Sequence, residues 1–282
     1  MTLARNLALS WQRSAKLLTL YLAAALGILF LIGPLLVIVP ISFSPAQYLA
    51  FPPTGISFQW YERFFGRPEW MASVWVSLQV ATLSMILTVI LGMLASISLV
   101  RGQFRGKTVI YSVILAPMIV PVIVTATGTF FFFSKLGMLG TVGAIALGHT
   151  IVALPIVVII VSATLQGFDE RLEQAAISLG ANPLTAFRRI TLPMIAPGVV
   201  SGALFAFLTS FDELIIPLFL GGPKAQTLAV RIWNSVLLEI EPTIAAVSTF
   251  LIGVALLVLL LAALLKRARD TNQHAAGVAK EI

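Results

Sequence analysis

The sequence predicts an all-α membrane protein with six spanning helices, and three observations carry that prediction. Apolar residues make up 59% of the 282 and charged residues only 10%, against about 25% charge in an ordinary soluble domain. The charges are clustered, leaving long uncharged stretches at 17–61, 70–100, 108–134, 136–168, 190–211 and 242–265. Each stretch is at least as long as the roughly 20 residues a helix needs to cross hydrocarbon. Open strand edges cannot face lipid, so these stretches read as helices rather than strands.

The same composition excludes disorder and a water-soluble enzyme. The chain has no cysteine and only two histidines, His149 and His274. Disulfides, thiolate sites, cysteine nucleophiles and multi-histidine metal centres are therefore excluded, and no metal site is expected.

Taken in order, the first stretch is interrupted by Pro45 and by Pro52-Pro53. Its span is expected over residues 17–41, with an extended segment after it. A basic stretch precedes this run, as in a signal peptide, but a run of about 25 residues is long for the apolar part of one. It reads as an uncleaved first helix. The second helix covers 70–100. Pro117 and Pro121 in the third, and Pro155 in the fourth, are kink candidates, although membrane helices also accommodate proline without kinking. The aromatic run 130–133 reads as a lipid or packing face. His149, near the outer end of the fourth helix, reads as structural. Trp60, Trp70 and Trp75 fit an outer interfacial belt. Glu239 and Glu241 read as solvated outer-loop charges, with contact to an extracytoplasmic partner protein as the alternative, and Lys266, Arg267 and Arg269 as an anchor at the inner surface.

Orientation follows from the basic residues. With the N-terminus inside, 13 of the 18 Lys and Arg residues fall in inner segments and 5 in outer ones. Flipping the chain reverses that ratio, so both termini are expected in the cytoplasm. The inner segments then carry net +8 and the outer −1, which accounts for the whole formal charge of +7. No charge is left over for a nucleic-acid site to explain. The expected division is a cytoplasmic N-terminus at 1–16, a transmembrane domain at 17–265 and a cytoplasmic tail at 266–282.

Between the fourth and fifth helices lies a polar loop, 168–193. Asp169 can cap a short helix whose first turn holds Glu170 and Glu173. Leu172, Ala175, Ala176 and Leu179 share a face at helical spacing. Gly180 can end the helix in a left-handed conformation, and Pro183 bars simple continuation. The product is a short amphipathic helix on the inner face; by residue physics alone, a solvated connecting loop stands equally.

The spacing of this loop resembles the "EAA" loop of the MetI-like inner-membrane permeases of type I ABC importers: Glu-Ala-Ala, three residues, Gly, nine residues, Ile-x-Leu-Pro. Ala175-Ala176, Gly180 and Ile190-Thr191-Leu192-Pro193 sit at the family spacing. Gln174 occupies the family's glutamate position, and Glu173 lies one residue earlier. The resemblance runs from about residue 100 to 265, with Arg101-Gly102-x-Phe104-Arg105-Gly106-Lys107 and Ser210-Phe211-Asp212-Glu213 also in register. It is strongest to permeases of the spermidine/putrescine type.

This resemblance implies that Glu173, Gln174, Ala175, Ala176, Leu179, Gly180 and Pro193 form an ATPase-coupling segment. It implies half of a pore in a bacterial inner membrane for a small cationic organic solute such as a polyamine, or for 4-aminobutyrate-like and other small organic solutes. The implied partners are a second permease, two cytoplasmic ABC ATPases and an extracytoplasmic binding protein. The chain has no G-x-x-x-x-G-K-[ST] loop, so ATP and Mg are expected on the partners and no cofactor or catalysis in this chain.

Asp212 and Glu213 are the candidate substrate-path residues. They lie about 15 residues beyond Pro197, roughly 22 Å along a helix. Two carboxylates at such depth usually face a wet cavity or a partner. A helix end in the headgroup zone, paired to Lys224 or Arg231, is the other reading. Asp212 is favoured as pore-facing because it matches the acidic position of the polyamine-type relatives, leaving Glu213 to a partner such as Arg231 or the second permease. Two further functions compete. A stand-alone secondary transporter is expected to carry internal repeats and several buried ionisable groups. A membrane hydrolase needs a nucleophile–base or metal constellation. Neither pattern is present in the sequence.

Overall fold

The computed structural model describes residues 2–238, 241–257 and 260, with side chains described from residue 17 onward. Every regular element among them is a helix. Four are long and apolar enough to cross a membrane, or five if one bent pair counts as a single span. The sequence-based count of six is thus reached only in part. The sixth stretch appears as a shorter helix, Thr243–Leu257, and the rest of 242–265 lies largely outside the described residues, as do Glu239, Lys266, Arg267, Arg269 and the tail.

The chain divides into two compact units. The first comprises residues 1–67 and 235–282. Helix α1, Thr2–Ile41, contains the span Leu17–Ile41. Its span is exposed within this chain over most of its length, with Ile41 buried at its end, as a helix facing lipid or another subunit must be. The chain then turns through a segment without regular structure into α2, Gln59–Gly66. Ser42 Oγ lies 2.7 Å from Tyr61 Oη, and Trp60 Nε1 donates to Ser44 O at 2.7 Å. The rings of Phe43, Phe58 and Tyr61 pack edge-on and tilted against one another beside these bonds. Trp60 is consequently buried, with the Arg63 guanidinium over its ring, so it is not part of an interfacial belt.

Glu241 is not a solvated loop charge either. Arg63 Nη1 lies 2.6 Å from its Oε1 and Arg67 Nη1 3.3 Å from its Oε2, and the glutamate side chain is only 17% exposed. Two guanidiniums offset the desolvation of one carboxylate, which lets it sit inside. Phe64 and Phe65 pack on Phe250 of helix Thr243–Leu257.

The second unit spans 68–234. Its elements are α3 (Pro68–Arg101), α4 (Lys107–Leu115), α5 (Val122–Lys135), α6 (Val142–Gln166), α7 (Arg171–Ser178), α8 (Pro183–Ala186), α9 (Leu192–Asp212), α10 (Ile215–Leu220) and the start of α11 (Leu228–Leu238). Helices α3, α6 and α9 pack together as its core. On α3 the buried face repeats small residues at Ser73, Ser77, Ala81, Ser84, Thr88, Gly92 and Ser96, and on α9 at Gly198, Gly202, Ala206 and Ser210. Apolar burial gives helices no drive to associate in lipid, so close backbone approach and interhelical hydrogen bonds do that job. At Gly198 a Cβ would lie 2.1 Å from Thr164 Oγ1, so only glycine fits there. Ser96 Oγ donates to Val158 O at 3.2 Å, across the α3–α6 contact.

The third stretch is not one straight helix. Helices α4 and α5 meet at 101°. Pro117 sits in a 3-10 turn, Ala116–Met118, and Pro121 precedes α5 with extended ψ of 131°. Two missing N–H donors within five residues leave the helical ladder without support, and the chain turns there. By contrast α6 continues through Pro155. Helices α5, α6 and α10 share a second apolar cluster around Ala126, Phe133, Ile145, Ile216 and Leu220. Within the run 130–133, Phe133 is buried and Phe131 and Phe132 are exposed. Trp70 is buried beneath the Arg231 guanidinium, and of the three tryptophans only Trp75 is exposed.

Candidate functional site

The loop helix α7 is built by local chemistry. Asp169 Oδ1 accepts from Arg171 N at 3.0 Å, and Glu173 falls in the first turn. The helix therefore starts two residues after the residue that caps it. It ends in a Schellman arrangement: Gly180 N donates to Ile177 O, and Ala181 N to Ala176 O. Gly180 has φ of 94°, a value at which a Cβ is unfavourable. Asn182 Oδ1 then accepts from Thr185 N at 2.7 Å and caps α8, whose first position is Pro183. A π-helical segment, Phe187–Thr191, joins α8 to α9, and Pro193 lies in the first turn of α9.

Most of α7 is exposed within this chain, and only Glu173 and Ala176 are partly covered. Leu172, Ala175, Ile177 and Leu179 point away from the chain, and Leu179 is 90% exposed. Gln174 is also exposed. Glu173 and Ala176 are turned partly inward. The apolar positions are therefore not one buried stripe: most of them look outward and Ala176 faces the chain.

Glu173 is the residue that ties the loop down. Its Oε2 lies 2.8 Å from Arg101 Nη2 and accepts from Thr191 Oγ1 at 2.5 Å. The contact with Arg101 is an ion pair without hydrogen-bond alignment. Glu170 lies 3.6 Å from Arg101 Nε on the more exposed side. The guanidinium also covers the ring of Phe168, which is buried against Leu165, Val161 and Ile195. Sequence reasoning singled out Arg101 only as the first residue of a motif in register with the family, and Thr191 only as a variable motif position. Their pairing with Glu173 is long-range and leaves no local signature.

At the far end of α9 the two carboxylates separate. Asp212 is the last residue of the helix and is exposed in this chain, with no ion pair among the described residues. Glu213 lies outside the helix with extended ψ of 126°, so the two are not successive helical positions. Its Oε1 accepts from Ile215 N at 2.8 Å and Ile216 N at 3.2 Å, capping α10. Arg231 is not its partner; that guanidinium faces Glu69 at 3.9 Å and Gln226 at 3.2 Å. Near this end His149 Nδ1 lies 2.7 Å from Ser210 Oγ, with both residues buried. No group of three or more metal-ligating side chains is present among the described residues.

A family model described as "Binding-protein-dependent transport system inner membrane component" matches residues 88–270. The chain is 36% identical over 239 residues to the putrescine transport system permease protein PotI of Escherichia coli strain K12, a match covering 81% of this chain and 83% of that one. It is 32% identical over 245 residues to the spermidine/putrescine transport system permease protein PotC of Haemophilus influenzae, covering 87% and 94%. In fold it resembles a chain of a bacterial ABC transporter involved in the import of the acidic polysaccharide alginate. That match has a TM-score of 0.70 at 16% identity and covers 90% of this chain and 97% of the other.

Proposed function

This chain belongs to the family of binding-protein-dependent transport system inner membrane components, and we propose that it forms one half of the pore of an importer for a small cationic solute of the polyamine kind. It is an inner-membrane permease of the ABC importer class, and that family is not catalytic. We read six spans with both termini cytoplasmic, a transmembrane domain at 17–265 and a coupling loop at 168–193. A second permease completes the pore. Two cytoplasmic ATPases carry ATP and Mg, and an extracytoplasmic binding protein delivers the solute.

The observation that carries this reading is α7 itself. It is a short helix, pinned from behind through Glu173 and leaving Leu172, Ile177 and above all Leu179 exposed within this chain. Exposed apolar side chains on a helix held from behind are what docking into a groove of another protein requires. In the proposed cycle, ATP binding closes the ATPases, α7 moves with them and the pore opens outward. The polyamine reading rests on the named substrates of the permease relatives and on the exposed Asp212 at a helix break, a place where discontinuous helices commonly bind solutes.

Purification of the intact complex through a tag on this chain tests the reading. Stoichiometric ATPase chains and ATP-dependent uptake of labelled putrescine by vesicles holding the complex are the expected result. A complex without ATPase chains would overturn the importer assembly. Uptake of other solutes but not of putrescine or spermidine would overturn the polyamine assignment.

A further inference from the structure

We propose that Glu173 is a positioning residue that links the loop helix to the pore helices, acting with Arg101 and Thr191 as a latch between α7, α3 and α9. The proposal rests on the reading of 168–193 as the coupling loop. Moving one position along a helix rotates a side chain by about 100°. With glutamine at 174 and glutamate at 173, the loop's carboxylate leaves the outward face that carries Gln174 and turns into the chain. There its Oε2 meets two core helices at once. Arg101 is the last residue of α3, and Thr191 closes the π-helical segment that feeds α9.

Three features make this more than a surface ion pair. The Glu173 side chain is 14% exposed and that of Arg101 23%, so solvent and salt screen the pair less than an open one. The Arg101 guanidinium lies over Phe168, whose ring is packed in the apolar cluster with Leu165 at the inner end of α6. The same cation thus bears on α3, α6 and α7. Finally, the π-helical segment Phe187–Thr191 interrupts regular hydrogen bonding immediately before α9. Such segments recur at functional sites.

Beyond the latch, α9 runs unbroken to Asp212 and is bonded near that end to His149 through Ser210. At 21 residues it is a rod of roughly 30 Å. A shift of α7 transmitted through Glu173 therefore reaches the helix break at Asp212. The exposed Leu172 and Leu179 meet the partner, while Glu173 transmits.

The absence of cysteine allows single-cysteine reporting in the tagged complex isolated from its host membrane. Ser178→Cys reports on the loop and Leu208→Cys on the far half of α9, with thiol reactivity compared with and without a non-hydrolysable ATP analogue. With Glu173 intact both sites respond. Adding Glu173→Gln leaves the Ser178→Cys response in place and lowers the Leu208→Cys response roughly tenfold, within the usual range of coupling between linked sites. An undiminished Leu208→Cys response in Glu173→Gln overturns the latch alone. A silent Leu208→Cys beside a responding Ser178→Cys, with Glu173 intact, also overturns it. A silent Ser178→Cys in that parent overturns the coupling-loop reading and the latch together. If Glu173→Gln does not reach the membrane, Thr191→Val against Thr191→Ser decides: serine keeps the hydroxyl and the Leu208→Cys response, and valine lowers it. Equal responses in the two overturn the latch.

Discussion

His149 Nδ1 and Ser210 Oγ meet at 2.7 Å between α6 and α9, two residues before the helix break that carries Asp212. Both side chains are buried, and His149 Nε2 has no hydrogen-bond partner among the described residues. This is the interhelical polar contact that membrane packing favours in place of apolar burial. It holds the Asp212 end of α9 against α6.

Ser210→Ala is expected to destabilise the folded chain by about 1–3 kcal/mol, because a buried ring nitrogen loses its partner. Replacing both groups, as Ser210→Ala with His149→Phe, removes the unsatisfied polar atoms and is expected to recover part of that loss. Thermal unfolding of the detergent-solubilised complex measures both. A single variant that melts with the parent, or a double variant that melts below the single, contradicts this account.

Gly180→Val is expected to disrupt the end of α7. No atom lies within 4 Å of a Cβ built on Gly180, so the penalty comes from φ of 94° alone. It is about 1–2 kcal/mol for a side chain that disfavours the left-handed region. Gly180→Asn is expected to be tolerated far better, since asparagine visits that region. Leu179→Asp is the complementary probe: its side chain touches solvent, so chain stability should hold while docking suffers. ATPase retained on the tagged chain is the measurement. Valine and asparagine variants that retain equal amounts would show that the glycine conformation is irrelevant to assembly.

How much of this was legible follows the range of each interaction. The cap at Asp169, the glycine turn at 180 and the proline at 183 are local codes, and the structure places each within a residue or two of the sequence reading. The break between α4 and α5 was half legible: Pro117 and Pro121 mark it, but the 101° turn depends on α5 packing against α6 and α10. Trp60 and Glu241 were misread because their partners decide their burial. Arg63 and Glu241 are 178 residues apart in sequence, and His149 and Ser210 are 61 apart. A carboxylate with no cation in its own loop reads as solvated until the fold supplies one. The same holds for Glu173, whose partner Arg101 stands at the end of a different span.

Topology is open to direct labelling. With both termini inside, Glu170→Cys faces the cytoplasm and Leu136→Cys, between α5 and α6, faces the exterior. Both parent residues are exposed in this chain. A membrane-impermeant maleimide applied to intact cells is expected to label Leu136→Cys and to spare Glu170→Cys until the cells are opened. The reverse pattern would invert the orientation read from the 13-to-5 division of basic residues.

The carboxylates at the end of α9 should now separate by experiment, because their surroundings differ. Glu213 serves the backbone: its Oε1 takes the N–H groups of Ile215 and Ile216 and starts α10, which is packed into the α5–α6 cluster through Ile216 and Leu220. Glutamine keeps an oxygen that can accept those bonds, so Glu213→Gln should assemble nearly normally. Glu213→Ala loses the cap at a cost of about 0.5–2 kcal/mol. Asp212 has no such duty. It is exposed where α9 stops, and on the proposed substrate path its charge would face the solute. A cation about 4 Å from it gains roughly 4 kcal/mol at an effective dielectric near 20, before desolvation is subtracted. The attraction has to stay moderate for the solute to leave inward. Asp212→Asn is therefore expected to lower putrescine uptake by about tenfold, equivalent to roughly 1.4 kcal/mol of that attraction, with assembly and thermal stability unchanged. Raising salt should weaken uptake by the parent more than by the variant, because screening acts on the charge only one of them carries. Uptake at matched protein levels in reconstituted vesicles decides it: equal rates for Asp212→Asn and the parent at low salt would show that this carboxylate is a solvated helix end and that any recognition of the cation lies elsewhere along the pore.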